Sequence, residues 1–517
     1  MRKIKLYGLL LVSTLLLSSC SDWLDILPNN EQVTDNFWKS KEDVEAVIAS
    51  GYYYMREAVP TFISWGEVRG GTIFSILSDD AKIQNFNVTP TDKICEYSKI
   101  YKIIGMANSV LKYAPTVVNE DETYYKPVMN SHLAEAYFMR AYCYFLLVKN
   151  FRDVPLVTEA YVNDEAEYNI PKSTEAEVIA QIKEDIKTAL ASGAAKGNYE
   201  ENWQTKGRAT KWALYALMAD VCLWNHDYDE CIIYCNEILN ATDAFRPVFI
   251  SNPYQWFEIF YPGNSNESIF ELNWDYAAYA QSNNFGSRFS IGSSSTYKYT
   301  DVAIAKMKDE TKEALEQLDG SAEGRVGRML MASYVHSGSN LNDYQNQNQF
   351  YIWKYKGTDI VDMGNVRLQE DANFILYRVA EVMLMKAEAL IMRGGVESWK
   401  AALDIINVIR VRAMLKPLDI NVEETDELTL LQTVLYEREM EFMAEGKRWY
   451  DLLRFARYNE KYATEFVNII VESNQTYNKQ WIRSVLQDEN AWYLPIPYSE
   501  IEINSELKQN PYYQTTN

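Results

Sequence analysis

The chain has 517 residues and a formal net charge of −22, because 72 aspartates and glutamates outnumber 50 lysines and arginines. This balance argues against nucleic acid as a partner, since phosphate binding needs clustered cations. Hydrophobic residues make up 47% and charged residues 24%, which is typical of a folded globular protein. With 38 tyrosines and 13 tryptophans, the chain has aromatic surface suited to stacking on ring-shaped ligands.

The N-terminus has the pattern of a lipoprotein signal peptide. Cations at positions 2, 3 and 5 precede an apolar run over residues 6–17 that is too short to span a membrane. The run ends in the tetrapeptide LSSC, which resembles the bacterial lipobox. We therefore predict that residues 1–19 are removed and that Cys20 carries the acyl chains that tether the protein to a membrane.

After a tether over residues 20–39, the sequence predicts one mostly helical globular domain over residues 40–517. Ser40 and Asp43 form a capping-box pattern that opens a helix. Residues 131–150 carry an apolar stripe at helical spacing, which predicts a long helix.

Two segments, residues 209–239 and 374–412, each predict a helical hairpin. Their small and aromatic residues fall where tetratricopeptide repeats place such residues, with turns expected near residues 225–229 and at Gly394 and Gly395. Unrelated helical hairpins could produce the same pattern, because the period is irregular. Downstream, Arg438 lies in an apolar stripe, so we expect a buried ion pair with Glu441, Glu445 or Asp451.

Helical periodicity fades between residues 245 and 355, where Gly, Ser, Asn and Tyr crowd together. We predict a few short strands and long loops here. Loops held by a regular scaffold often carry function.

The sequence contains no motif for catalysis, phosphate binding or a metal. There is no HExxH helix, no GxSxG elbow and no P-loop, so we expect the protein to have no catalytic activity and to bind no cofactor. Cys222, His226, Cys231 and Cys235 could be drawn as a zinc set, but they lack the paired spacing of zinc motifs. We expect these cysteines to fill helix contacts, as free cysteines usually do.

Six segments together resemble one known family. They are the lipobox followed by DWLD at residues 22–25, AEAYFMRAYCYFLLVKNFRDVPLV at 134–157, GRATKWALYALMADVCLW at 207–224, YRVAEVMLMKAEAL at 377–390, YEREMEFMAEGKRWYDLLR at 436–454 and WYLPIPYSEIEINSELKQNPY at 492–512. In this order they resemble the SusD/RagB family of outer-membrane nutrient-binding lipoproteins from Bacteroidetes.

The resemblance implies a SusD-like α-helical fold with tetratricopeptide-type hairpins and a role in binding oligosaccharides or polysaccharides at the cell surface. It further implies that the protein forms a lid on a SusC-like TonB-dependent transporter and catalyses nothing. Asp22 and Asp25 resemble the signal that exports such lipoproteins to the cell exterior. The expected location is therefore the outer face of the outer membrane, with the acyl anchor in its lipid.

A glycan site needs exposed aromatic platforms beside side chains that hydrogen-bond to hydroxyls. We expect such a site in loops around residues 60–100 and 245–355. The candidate ligand-binding residues are Trp65, Asn85, Tyr276, Tyr279, Asn283, Arg288 and Tyr297. Trp274 ranks lower, because strand alternation puts it on the same face as Leu272 and so predicts a core position.

Three other functions fit the sequence less well. Some members of the family are expected to bind oligopeptides, and the scaffold motifs do not distinguish these from glycan binders. A tetratricopeptide-type scaffold would bind only proteins. A lipid-anchored glycosidase is the weakest alternative, because no catalytic motif supports it.

Overall fold

The computed structural model describes residues 37–161, 168–290, 295–317, 328, 333–335, 345–346, 350–358, 365–475 and 478–514. The predicted signal peptide, Cys20 and most of the predicted tether lie outside these residues. In the described part of the chain, no helix is long and apolar enough to cross a membrane.

Helices dominate the structure. In chain order they are α1 Lys41–Glu57, α2 Val59–Gly66, α3 Ser78–Gln84, α4 Ser98–Val117, α5 Lys126–Phe151, α6 Glu175–Ala191, α7 Asn202–Gly207, α8 Lys211–Trp224, α9 Tyr228–Leu239, α10 Tyr276–Tyr279, α11 Asp301–Gln317, α12 Val379–Arg393, α13 Val396–Arg412, α14 Glu427–Phe442, α15 Arg448–Ala456, α16 Glu460–Ser473, α17 Lys479–Leu486 and α18 Tyr498–Ile503. This confirms the predicted mostly helical fold.

Short strands form antiparallel pairs between distant segments. The strands are β1 Ile73–Ser75, β2 Val154–Pro155, β3 Lys172–Ser173, β4 Ser268–Leu272, β5 Tyr297–Tyr299, β6 Ser333–Val335, β7 Phe350–Ile352 and β8 Phe374–Arg378. The pairs are β1–β5, β2–β3, β4–β8 and β6–β7. The strands predicted between residues 245 and 355 are therefore present in the described part of that region.

The N-terminal helix begins as its sequence predicts. Ser40 accepts a hydrogen bond from the backbone N–H of Asp43 at 3.3 Å, and the Asp43 carboxylate accepts one from the backbone N–H of Ser40 at 2.8 Å. This capping box satisfies two N–H groups that the first turn would otherwise leave unpaired. Helix α1 then buries Val44 and Ile48 against the core.

Helix α5 runs through the centre of the protein. Nearly every side chain from Ser131 to Phe151 is buried, as expected for a helix that is surrounded on all sides. Its buried Arg140 donates to the carboxylate of Asp185 at 2.6 and 2.8 Å and to the amide oxygen of Asn108 at 2.9 Å. These bonds satisfy a charge that burial alone would destabilise.

Both predicted hairpins are present, with one error at the start of the second. Helices α8 and α9 form the first hairpin, α12 and α13 the second, and α9 packs against α12. Residues 374–378 form strand β8 rather than helix, because their backbone pairs with β4 in a register that joins Phe374 to Leu272. The helix begins only at Val379.

The C-terminal helices are joined to the rest of the fold by buried ion pairs. Arg438 contacts Asp451 at 2.8 Å, which confirms one of its predicted partners. The carboxylate of Glu441 accepts hydrogen bonds from Arg378 at 2.7 Å, from Arg412, and from Arg328 at 3.3 Å. These guanidinium groups lower the pKa of Glu441 despite its burial, so it stays ionised in the core.

Candidate functional site

The fold brings the two predicted ligand-binding regions together. Strand β1 pairs with β5, which aligns Ile73 with Tyr299 and Ser75 with Tyr297. Beside this pair, the hydroxyl of Tyr297 accepts a hydrogen bond from Arg288 Nη1 at 2.6 Å. The same hydroxyl lies 3.5 Å from the hydroxyl of Ser64, so both regions meet in one polar cluster.

Trp65 is a core residue, so its assignment to a ligand site is wrong. Its side chain has no exposed surface, and its indole N–H donates to the carbonyl of Ile94 at 2.7 Å while its ring meets Phe151 edge-on. Its neighbour Glu67 is also structural. The Glu67 carboxylate accepts the backbone N–H of Gly446 at 3.0 Å, and burial raises its pKa to about 7.

Asn283 and Tyr297 are also buried, and this corrects two further predictions. The Asn283 side chain donates to the carbonyl of Ala372 at 3.0 Å and accepts the backbone N–H of Gly286 at 2.7 Å. These bonds hold a turn. Burial raises the pKa of Tyr297 to about 12, and its ring packs on Phe289, so neither residue offers a surface to a glycan.

A cleft of about 670 Å³ opens next to β1 and β5. Its lining residues are Val68, Gly71, Ile73, Phe74, Gln84, Asn85, Asn87, Thr300, Ser473, Asn474, Gln475, Asn478 and Trp481. Six of these side chains are carboxamides, and none of the described lining residues carries a charge. We call this site the carboxamide cleft.

One wall of the carboxamide cleft is the turn that follows α3. Phe86 adopts a left-handed backbone conformation with φ of 52°, and its buried ring packs against Trp449. This anchor places Asn85 and Asn87 on either side of it, at the cleft. The side-chain oxygen of Asn85 is buried and has no hydrogen-bond partner in the described part of the chain.

The opposite wall is the segment between α16 and α17. Asn478 caps α17 by accepting the backbone N–H of Trp481 at 3.0 Å. The Trp481 indole N–H donates to the carbonyl of Phe86 at 3.3 Å, which ties the two walls together, and 42% of this residue remains exposed. At Gly71, with φ of 79°, a Cβ atom would lie 2.7 Å from the Cβ of Ser473, so glycine lets the walls approach.

The lining chemistry of the cleft suits a neutral, hydroxyl-rich ligand. Carboxamides can donate to and accept from hydroxyl groups, and an aromatic face can pack against the CH face of a sugar ring. The sequence-based predictions included Asn85 but missed Trp481 and the carboxamides of residues 474–478. The available signal was the concentration of Asn and Gln between two amphipathic helices.

A second groove of about 370 Å³ lies between α1, α7 and the segment after β4. Its lining residues are Glu45, Ile48, Ala49, Tyr52, Tyr53, Arg56, Trp203, Gln204, Gly207, Arg208, Leu272, Asn273 and Gln281. We call it the Arg56 groove. Trp274 is buried beside it, as the strand pattern predicted.

Tyr276 and Tyr279 are exposed on α10, by 39% and 63%, a few residues before Gln281. The helix is capped by Asp275, which accepts the backbone N–H of Ala278 at 2.8 Å. Neither tyrosine lines the carboxamide cleft, and their role in binding stays a prediction, as does that of half-buried Arg288.

The cysteines lie in helix contacts. Cys222, Cys231 and Cys235 are buried and unpaired, with 4.0 Å between the sulfur atoms of Cys231 and Cys235. Within the described residues, no group of three or more His, Cys, Asp or Glu side chains is placed to hold a metal ion.

The protein combines a mostly helical scaffold, which contains tetratricopeptide-type hairpins, with a cleft whose described lining is uncharged and consists largely of amide and aromatic side chains. These features are typical of a ligand-binding protein. Comparison with known proteins specifies the family. Residues 273–513 match the SusD family, and residues 22–223 match the family described as starch-binding and associating with the outer membrane. The chain belongs to the SusD/RagB family.

Relatives and solved structures agree with this assignment. Two SusD-like proteins of Formosa agariphila are 24% and 26% identical to the chain, and each comparison covers 99% of both proteins. Surface glycan-binding protein A from Bacteroides uniformis has a similar fold, with a TM-score of 0.70 and 18% identity over 92% of this chain and all of that one. A laminarin-binding SusD-like protein gives a TM-score of 0.66 with 20% identity over 92% of this chain and all of that one.

Proposed function

We propose that the protein captures oligosaccharides or polysaccharides at the cell surface and delivers them to a SusC-like TonB-dependent transporter. The observation that carries this proposal is the carboxamide cleft. Six carboxamides and two aromatic side chains, Phe74 and Trp481, line a cavity of about 670 Å³ without any charged side chain among its described residues. That volume falls within the usual range for small-molecule sites.

Binding rather than catalysis fits this chemistry. Acid–base catalysis needs a titratable group beside the reacting atoms, and the described lining of the cleft offers none. Similarity to the laminarin-binding and surface glycan-binding proteins supports a saccharide ligand. The predicted contacts of Asn85, Tyr276, Tyr279 and Arg288 with ligand are part of this proposal.

The proposed location rests on the N-terminal sequence and on the family. The LSSC pattern supports removal of residues 1–19 and lipidation of Cys20, and the matched family is described as associating with the outer membrane. Affinity purification of the full chain from outer membranes tests both parts. Recovery of a TonB-dependent transporter and of acylated Cys20 supports the proposal, and recovery of the protein alone and unacylated contradicts it.

Calorimetry on a soluble form that begins at Ser21 tests the ligand class. The panel contains neutral polysaccharides, their oligosaccharides and mixed peptides, and we expect saturable binding to a neutral glycan. Asn87→Ala should weaken this binding several-fold, because a hydrogen bond contributes roughly 0.5–1.5 kcal/mol. Asn119→Ala, an exposed asparagine outside the cleft, is the matched control and should change nothing.

Binding of peptides alone would replace the glycan proposal with the oligopeptide function. Retention of a protein partner without any small-ligand binding would favour the assembly scaffold, and turnover of a glycan would favour a glycosidase.

A further inference from the structure

Arg56 is held in a fixed orientation in the Arg56 groove. Its Nη1 donates to the carbonyl of Asn273 at 2.9 Å and to the side-chain oxygen of Gln281 at 3.0 Å. Its guanidinium carbon lies 5.5 Å from the ring centre of Trp274 and 6.0 Å from that of Tyr53. Two hydrogen bonds and two aromatic faces therefore orient the guanidinium group.

No carboxylate in the described part of the chain forms an ion pair with Arg56. Glu57, its chain neighbour, attracts it only at a distance, and burial lowers the pKa of Arg56. Arg208 in the same groove is different, because it donates to both carboxylate oxygens of Glu135, at 2.6 and 3.0 Å. Arg56 is thus a partly desolvated cation whose charge the fold leaves unbalanced.

The free edge of Arg56 is suited to an oxyanion. Its hydrogen bonds to the described residues use Nη1, which leaves Nε and Nη2 as a pair of parallel donors. This fork matches the two oxygens of a carboxylate or a sulfate. Glu45 is the one carboxylate among the described residues that line the groove. It contacts Lys41 at 3.4 Å, which offsets part of its repulsion of such a ligand.

Two exposed aromatic side chains flank the fork. Tyr53 is 48% and Trp203 is 47% exposed, and both line the Arg56 groove. The side chain of Asn273 donates to the carbonyl of Trp203 at 2.8 Å, which ties this tryptophan to the backbone that holds Arg56. Gly207 permits this contact, because a Cβ atom there would lie 2.4 Å from the Asn273 side-chain nitrogen.

We infer that the Arg56 groove binds a sugar unit that carries an anionic substituent, with the oxyanion on Arg56 and the ring against Tyr53 or Trp203. This inference rests on the proposed glycan-binding function and specifies its substrate class: a glycan with carboxylate or sulfate groups. The uncharged carboxamide cleft would bind neutral sugar units, so the two cavities differ in the sugar units that they select.

Matched pairs of polymers test this inference on the soluble form that begins at Ser21. One pair is polygalacturonate and its fully methyl-esterified form, and the other is a sulfated galactan and its desulfated form. We expect the charged member of at least one pair to bind about tenfold tighter or more, since a hydrogen bond to a charged group is stronger than one between neutral groups. The first pair reports a carboxylate ligand and the second a sulfate ligand.

Arg56→Gln should abolish the preference for the charged polymer, because it removes the cation but keeps a side chain of similar polarity. Arg393→Gln is the matched control, since it makes the same charge change at an exposed residue outside both cavities. Equal affinity of the wild-type protein for both members of each pair, or an unchanged preference in Arg56→Gln, would overturn the inference.

The two proposals can fail separately. Loss of neutral-glycan binding in Asn87→Ala concerns the carboxamide cleft alone. A charge preference that depends on Arg56 supports the inference even if no neutral glycan binds, and neutral binding without any charge preference refutes it.

Discussion

Replacing Trp481 with alanine removes the most exposed aromatic side chain of the carboxamide cleft. This residue is 42% exposed, which for a side chain that buries up to about 250 Å² corresponds to roughly 105 Å² of accessible surface. A sugar ring on one face would cover about half of it. At about 25 cal/mol per Å², that contact contributes roughly 1.3 kcal/mol, or a tenfold change in affinity.

Calorimetry with the neutral oligosaccharide that binds best provides the assay. Thermal unfolding of the variant checks that the fold is intact, because the bond from Trp481 to the carbonyl of Phe86 is also lost. Phe245→Ala is the matched control: this aromatic side chain is 63% exposed but lines neither cavity, so neutral binding should not change. Unchanged affinity in Trp481→Ala, or an equal loss in both variants, would refute the placement of the neutral site.

Two further predictions concern the scaffold. Glu441→Gln should lower the free energy of unfolding by about 3–5 kcal/mol, because Arg378 and its neighbours would lose their buried counter-charge. The control Glu506→Gln, at an exposed position, should change the urea midpoint little. A similarly small effect of both substitutions would contradict the stabilising role of the ion pairs around Glu441. His132 is buried, and its Nδ1 lies 3.1 Å from the Tyr124 hydroxyl. Burial lowers the pKa of His132 below 6.5, so the folded state favours the neutral ring. The stability that the neutral ring contributes above pH 6.5 is lost as the pH falls through the pKa of the folded state. His132→Gln should therefore lose less stability than the wild type below pH 6.5 in urea unfolding, and identical slopes would show that this ring does not control the acid response.

The sequence predicted the scaffold better than the site. Helical periodicity located the hairpins because their buried stripes repeat locally, whereas residues 374–378 became a strand only because β4 lies beside them. Strand alternation predicts that Tyr297 and Tyr299 share one face of β5. It does not predict that this face is buried, because its burial depends on the pairing of β5 with the distant strand β1.

The two tryptophans illustrate the same limit. Trp65 lies in a short, mostly apolar helix with no polar face to indicate its orientation. Trp481 lies at the border of the buried face of the amphipathic helix α17, because buried Val485 follows it by one turn and buried Ile482 is its neighbour. Helical spacing therefore does not decide whether Trp481 is exposed. Its place in the cleft that Asn87 also lines depends on tertiary contacts between distant parts of the chain.

The hydrogen bond between Trp481 and Phe86 joins residues that are 395 positions apart. A chain cut directly after α16 would retain the tetratricopeptide-type hairpins, yet the cleft would lose three of its six carboxamides and its exposed tryptophan, namely Asn474, Gln475, Asn478 and Trp481. Binding in the carboxamide cleft thus requires that synthesis and folding have reached α17, because this recognition surface is complete only when a C-terminal helix docks onto an N-terminal turn.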